Sequence, residues 1–314
     1  SDVTIAAGET VMLTHSTEKL HSLTVAGTLI TSGWETKVEA DNVVVSEGGK
    51  ITCAGAFLET EMSNRVWIVA GDIEVSGSID VSGCGYKGVG KDVPSQGPGM
   101  SKVLGIYVGA AHGGWGGEIN SYNSSFSNQQ LPSPCDDPLN PVQPGSGTCA
   151  NSAAPSVGAN GGGVIVIEAS GTVSLFGQLV ANGGNASSSP CGGGAGGTIN
   201  VTCKTILGNG SLTAEGGAAK GGGGSGGGGA GAGIGGGIQC SLGGSITITG
   251  GNITAVGGGT CTIRVTSVDN PNVYAEVKVT VPGNAKTTAS ATTTTTTTTI
   301  ANNNATIIAP PTFH

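Results

Sequence analysis

Six segments of this chain can be laid one above another. They are SLTVAGTLITSG from Ser22, VVVSEGGKITCAG from Val43 and DIEVSGSIDVSG from Asp72, then TVSLFGQLVANGG from Thr172, TILGNGSLTAEGG from Thr205 and SITITGGNITAVGG from Ser245. Each holds a short alternating stretch, a turn at or near a glycine, a second alternating stretch, and a small residue followed by glycine. The alternation gives the inward positions. In the third segment they are Ile73, Val75, Ile79 and Val81; in the fourth, Val173, Leu175, Leu179 and Ala181; in the sixth, Ile246, Ile248, Ile253 and Ala255. Several segments follow a further apolar stretch, at Val66 to Val69, Val164 to Ile167 and Ile199 to Val201. One repeat therefore carries about three short strands.

A repeat of this kind cannot bury its apolar face alone and must stack on copies of itself. The expected fold is all-β: a right-handed parallel β-helix, with like side chains in ladders and glycine at corners where φ is often positive. A sandwich of hairpins is the alternative, and it has no need of register-preserving repetition. Composition agrees with strands. Glycine numbers 60 of 314 residues and charged residues make up 10%. Aromatics are 4%, so Val, Ile, Leu and Ala must build the core.

The expected organisation is a β-helix over residues 1–258, a capping hairpin over 259–283 and a Thr-rich extended tail over 284–314. Extra residues follow Gly83, Gly184 and Gly217, the first insertion running over about 84–163. Insertions leaving one corner of each coil emerge on one side. Their glycine runs read either as flexible linkers or as loops packed backbone against backbone.

The formal net charge is −8, with twelve Lys and Arg residues scattered along the chain. No basic stripe invites nucleic acid, and no apolar run is long enough to insert into a bilayer. The chain starts at Ser1, which fits a processed form whose signal peptide has gone. Eight dispersed cysteines, Cys53, Cys84, Cys135, Cys149, Cys191, Cys203, Cys240 and Cys261, form no CxxC pair. They read as disulfides of an oxidising compartment, each contributing roughly 2–4 kcal/mol. Cys135 and Cys149 flank one proline-rich loop and are expected to pair. Cys53 and Cys84 fall near one corner of successive coils and are expected to pair next. Pairing among the other four stays open.

Asn-x-Ser/Thr sequons begin at Asn123, Asn185, Asn200, Asn209, Asn252 and Asn304. Loop positions favour covalent glycans at Asn123, Asn185 and Asn304. The tract Thr292, Thr293, Thr294, Thr295, Thr296, Thr297, Thr298 and Thr299 reads as an O-glycan carrier.

The stretch GYKGVGKDVPSQGPG, AAHGGWGGEINSYN, DPLNPVQPGSG and GANGGGVIVIEASGTVSLFGQLVANGGN resembles a glycine-rich parallel β-helix pattern of large surface and secreted, adhesin-like proteins. The resemblance covers roughly residues 68–258 and rests on the order of the motifs. It implies a scaffold at the cell surface or outside the cell, with no catalytic residue to carry over. That pattern has glycine where this chain has Cys135, Cys149 and Cys191, which implies added staples. A second stretch, CTIRVTSVDNPNVYAEVKVTV from Cys261, resembles the closing hairpin of a bacterial Ig-like domain.

No constellation for chemistry stands out. The carboxylates are mostly solitary, and Asp72, Glu74 and Asp80 alternate outward. Asp136 and Asp137 read as a solvated loop tip or a weak calcium site, and His112 as a loop anchor. No enzyme activity, metal or cofactor is expected. The functional expectation is a structural protomer of an extracellular filament or surface fibre, its partners copies of itself. Ile300, Ile307, Ile308 and Phe313 would anchor the tail on the next copy. Some thirty extended residues reach on the order of 90–100 Å, against roughly 35 Å for seven stacked coils. The alternative is a monomeric adhesin or carbohydrate-binding β-helix on a glycosylated stalk, and a third reading is a polysaccharide-active enzyme.

Overall fold

The computed structural model describes residues 1–91, 93–100, 108–114, 116, 132–136, 141–150, 158–187 and 191–220, with the backbone of three later strands, 245–249, 259–266 and 274–281. The chain divides into two units, Ser1–Thr254 and Ala255–His314. Among the described residues there is no α-helix, only a 3-10 turn at Glu59–Glu61.

Strands come in pairs split between two sheets. The larger sheet takes β1 (Asp2–Ile5), β3 (Leu20–Val25), β5 (Val38–Val45), β7 (Val66–Val75), β9 (Val164–Ala169), β12 (Thr198–Thr202) and β15 (Ser245–Thr249) in that order. Beside β7 it also takes β10 (Thr172–Leu175), which pairs in turn with β13 (Thr205–Leu207). The smaller sheet runs β2 (Thr10–Leu13), β4 (Thr28–Thr31), β6 (Lys50–Cys53), β8 (Ser78–Asp80), β11 (Gln178–Val180) and β14 (Ser211–Thr213). Every pairing in both sheets is parallel.

Parallel register turns the alternation into columns of like side chains. Val3, Leu23, Val43, Ile73, Val173 and Ile206 form one column in the larger sheet. Val11, Leu29, Ile51, Ile79, Leu179 and Leu212 form another in the smaller. All eight inward positions expected of the third and fourth segments are buried. Each such Val, Leu or Ile removed from water contributes about 1.5–3 kcal/mol.

The sixth segment departs from expectation. Its strand β15 pairs with β12, not with β13 of the fifth segment. SITIT alternates like either class of strand. What places it is the glycine pair before it, which also precedes the strands starting at Val164 and Thr198.

The corner glycines also have a different cause from the one expected. Only some take positive φ, such as Gly48 at +80°. Gly49, Gly77 and Gly177 do not. A Cβ on Gly77 would lie 2.2 Å from the Gly49 carbonyl oxygen, and one on Gly177 would lie 1.9 Å from that of Gly77. Successive turns pack backbone on backbone, so glycine answers a close approach there rather than a strained dihedral.

The described parts of the insertions pack in the same way. Gly85 donates to Gly161, Gly145 to Gly162, Gly162 to Ala195 and Gly217 to Gly194, all at 2.8 Å. These segments are packed loops, each satisfying the backbone groups of another. The long glycine run 221–237 lies outside the described residues.

In the second unit, β16 (Gly259–Thr266) and β17 (Tyr274–Val281) form an antiparallel hairpin.

Candidate functional site

An inward-facing side chain loses cover on any side where no strand lies beside its own. β1 and β2 end their sheets, and among the described residues each has a strand on one side only. On these strands Ile5 and Leu13 still pack on the core, whereas Val3 and Val11 are uncovered. Val3 is 37% exposed and Val11 is 41%, whereas Val43 and Ile51 in the same two columns are 1% and 0% exposed. Met12 beside Val11 is 58% exposed. This end of the first unit thus combines bare core side chains with two rows of open backbone donors and acceptors, a template for a further strand. The expected partners of such an edge, Ile300, Ile307, Ile308 and Phe313, lie outside the described residues, as do Thr292–Thr299.

The cysteines sit at strand ends and in the packed loops. Cys53 closes β6, and Cys84 follows the turn after β8, the next strand of the same sheet. Both are buried thiols, with Cys84 Sγ 3.9 Å from the Cys53 carbonyl oxygen. The hydrogen bond between the two thiols, and then burial, pushes Cys53 far up, while the same contact draws Cys84 down. The expected bridge from Cys135 to Cys149 is not formed. Cys135 is a thiol whose backbone N–H donates to the His112 carbonyl, and burial pushes its thiol up to about 12. Cys149 instead lies beside Cys191, whose Sγ is 3.5 Å from the Cys149 carbonyl oxygen. Of the other cysteines left open, Cys203 is a buried thiol, Cys240 is outside the described residues and Cys261 is described only as backbone in β16.

Among the sequons, Asn185 is exposed, and its side-chain oxygen accepts from Ala218 N–H at 2.7 Å. Asn200 is half-buried on β12, with its amide donating to the Pro141 carbonyl at 3.3 Å. Asn209 is exposed in the turn joining β13 and β14. Asn123, Asn252 and Asn304 lie outside the described residues.

Asp136 is not a solvated tip. Its side chain is 3% exposed, beside a fully buried His112. His112 Nε2 lies 3.0 Å from Asp136 Oδ2, and His112 Nδ1 lies 2.9 Å from the Gly196 carbonyl oxygen. Both ring nitrogens thus have an oxygen partner within hydrogen-bond distance. Asp136 also accepts from the backbone N–H groups of Val142 and Gln143 at 3.0 Å. Two pieces of the long insertion are thereby tied to the loop before β12. A His-Gly-Gly loop suggests an anchor, but only the fold supplies its partner 24 residues away.

No group of three or more metal-ligating side chains occurs among the described residues. No helix among them is long and apolar enough to cross a membrane. Neither the curated proteins nor the solved structures contain a match to this chain. Residues 1–69, which span β1 to the opening of β7, match the G8 domain family.

Proposed function

We propose that this chain is a structural subunit of an extracellular filament or surface fibre, and that its two parallel sheets are faces of one right-handed parallel β-helix. Support for the helix is the order of the strands. The repeats follow one another as β1, β3, β5, β7, β10 and β13 in one sheet, and as β2, β4, β6, β8, β11 and β14 in the other. Two sheets that count the same repeats in the same order are what a winding chain produces.

The observation that carries the assembly reading is the bare end of the ladders, with Val3 and Val11 open where their column mates are buried. A strand or coil of a second copy would cover both and satisfy the open edge. Contact of one end with a different surface of the next copy does not close, so it yields fibres rather than rings. Residues 284–314 are the proposed docking segment. G8 domains occur in secreted and extracellular proteins, which supports an oxidising compartment. There Cys53 and Cys84 would close a staple between neighbouring coils, and Asn185 and the Thr tract would carry glycans. In this reading the chain is a scaffold and not an enzyme.

Electron microscopy of the full chain and of a chain lacking residues 286–314 tests it. Fibres from the first and none from the second are expected. Identical fibres from both would remove the tail from the account, and a full chain that stays monomeric at high concentration would overturn it in favour of a monomeric adhesin.

A further inference from the structure

We propose that the outer face of the larger sheet carries a binding groove for a linear, uncharged glycan. The groove encloses about 920 Å³ and is lined by side chains from five successive strand positions, Lys19 at the entry to β3 through Thr202 on β12. Four steps of about 4.8 Å make it roughly 19 Å long. Its shape suits an extended polymer rather than a compact ligand.

Register sets the lining. Glu39, Val69, Glu168 and Thr202 form one outward column across β5, β7, β9 and β12. Trp67, Val166 and Asn200 form the neighbouring column. The floor stays low at Gly71, where a Cβ would meet the Asp41 carbonyl oxygen at 2.4 Å. Polar groups therefore flank a narrow aliphatic strip made by Val69 and Val166.

The charges select the ligand. In the lining, three carboxylates, Glu39, Asp41 and Glu168, face one ammonium, Lys19, which already pairs with Asp41 at 2.7 Å, while Lys37 and Arg65 lie outside it, stacked on the Trp67 ring. Such a lining repels polyanions. Trp67 Nε1 donates to Glu168 Oε1 at 3.2 Å and holds that carboxylate in place. A peptide fits poorly, because a sheet face offers side chains and not the open backbone edge that strand addition needs. A glycan carries hydroxyls along its whole length. They donate to the carboxylates of Glu39 and Glu168, bond the hydroxyl of Thr202, and leave C–H faces for the aliphatic strip. This site is independent of the open ladder end and of the filament reading.

Affinity electrophoresis in gels containing soluble β-glucan, galactomannan or xylan, with alginate as the polyanion, tests the proposal. The chain should be retarded in at least one neutral gel and not by alginate. Glu39→Ala with Glu168→Ala should raise the apparent dissociation constant at least tenfold, with unchanged circular dichroism. Thr202→Arg, a single exposed change, should do the same by filling the groove. Phe176→Ser, an exposed change in the turn after β10 and outside the groove lining, should leave retardation intact. The proposal is overturned if no neutral gel retards the chain. It is also overturned if both groove variants bind as the parent does, or if only alginate or a lysine-rich peptide binds.

Discussion

The strand ladders and the glycine-rich insertions are both tightly packed, but they close space in opposite ways. In the ladders, Ile51, Ile79 and Leu179 fill the interior with side chains and are fully buried. In the insertions, the interior is backbone. A Cβ on Gly161 would sit 1.8 Å from the Gly145 carbonyl oxygen, and one on Gly194 would sit 1.9 Å from that of Asn160. The first region is held by apolar surface removed from water, the second by backbone hydrogen bonds that only close approach allows. One region therefore fails when side chains are removed, and the other when they are added.

Substitutions can break that contrast, beginning with the largest effect. Gly161→Val forces a branched side chain onto a backbone carbonyl that cannot rotate away. It should cost roughly 4 kcal/mol or more, the range reached by severe overpacking. Denaturant unfolding showing a loss under about 1 kcal/mol would mean that the loops do not pack this way. Ile79→Ala in the ladder should cost about 3 kcal/mol through the cavity it leaves. Gly48→Ala meets neither limit, because nothing lies within 4 Å of a Cβ there and only φ, at +80°, opposes the change. Its cost should be about 1 kcal/mol, mostly recovered by Gly48→Asn.

The smallest effect belongs to the surface pair Lys50–Asp80, 2.9 Å apart with side chains 41% and 29% exposed. Partial burial pushes the Asp80 carboxyl up, but hydrogen bonds from Lys50 and Ser82 more than offset it and hold the group below 3.8. A depressed carboxylate stabilises the fold above its unfolded pKa, and that contribution is lost as pH falls through the lowered value. Lys50→Gln should therefore cost less than about 1 kcal/mol at neutral pH, after solvent screening. The difference from the parent chain should close as pH falls through the lowered Asp80 value, which thermal unfolding across pH would read.

The ladders were legible in the sequence because alternation of Val and Ile with polar residues survives without knowledge of partners. Ile73, Val75, Ile79 and Val81 needed only a period of two. The register of β15 was not legible from alternation alone, since SITIT fits two strand classes, and the glycine pair before it was the signal to weigh. The corner glycines were visible, but their cause was not: whether φ or a neighbouring carbonyl demands glycine depends on the turn stacked against it. The pairing of His112 with Asp136 joins two loops across 24 residues, and no local pattern encodes it. The groove needed three strands, β5, β7 and β9, in register before its carboxylates shared one face.

Sedimentation velocity over a concentration series shows whether the bare ladder end drives association, as proposed. The parent chain should sediment faster as concentration rises. A Val3→Lys, Val11→Lys chain should remain monomeric, with an unchanged circular dichroism spectrum, because charge placed on the two open ladder positions prevents a second copy from covering them. A parent chain that stays monomeric throughout, or a lysine variant that associates as the parent does, would contradict the claim.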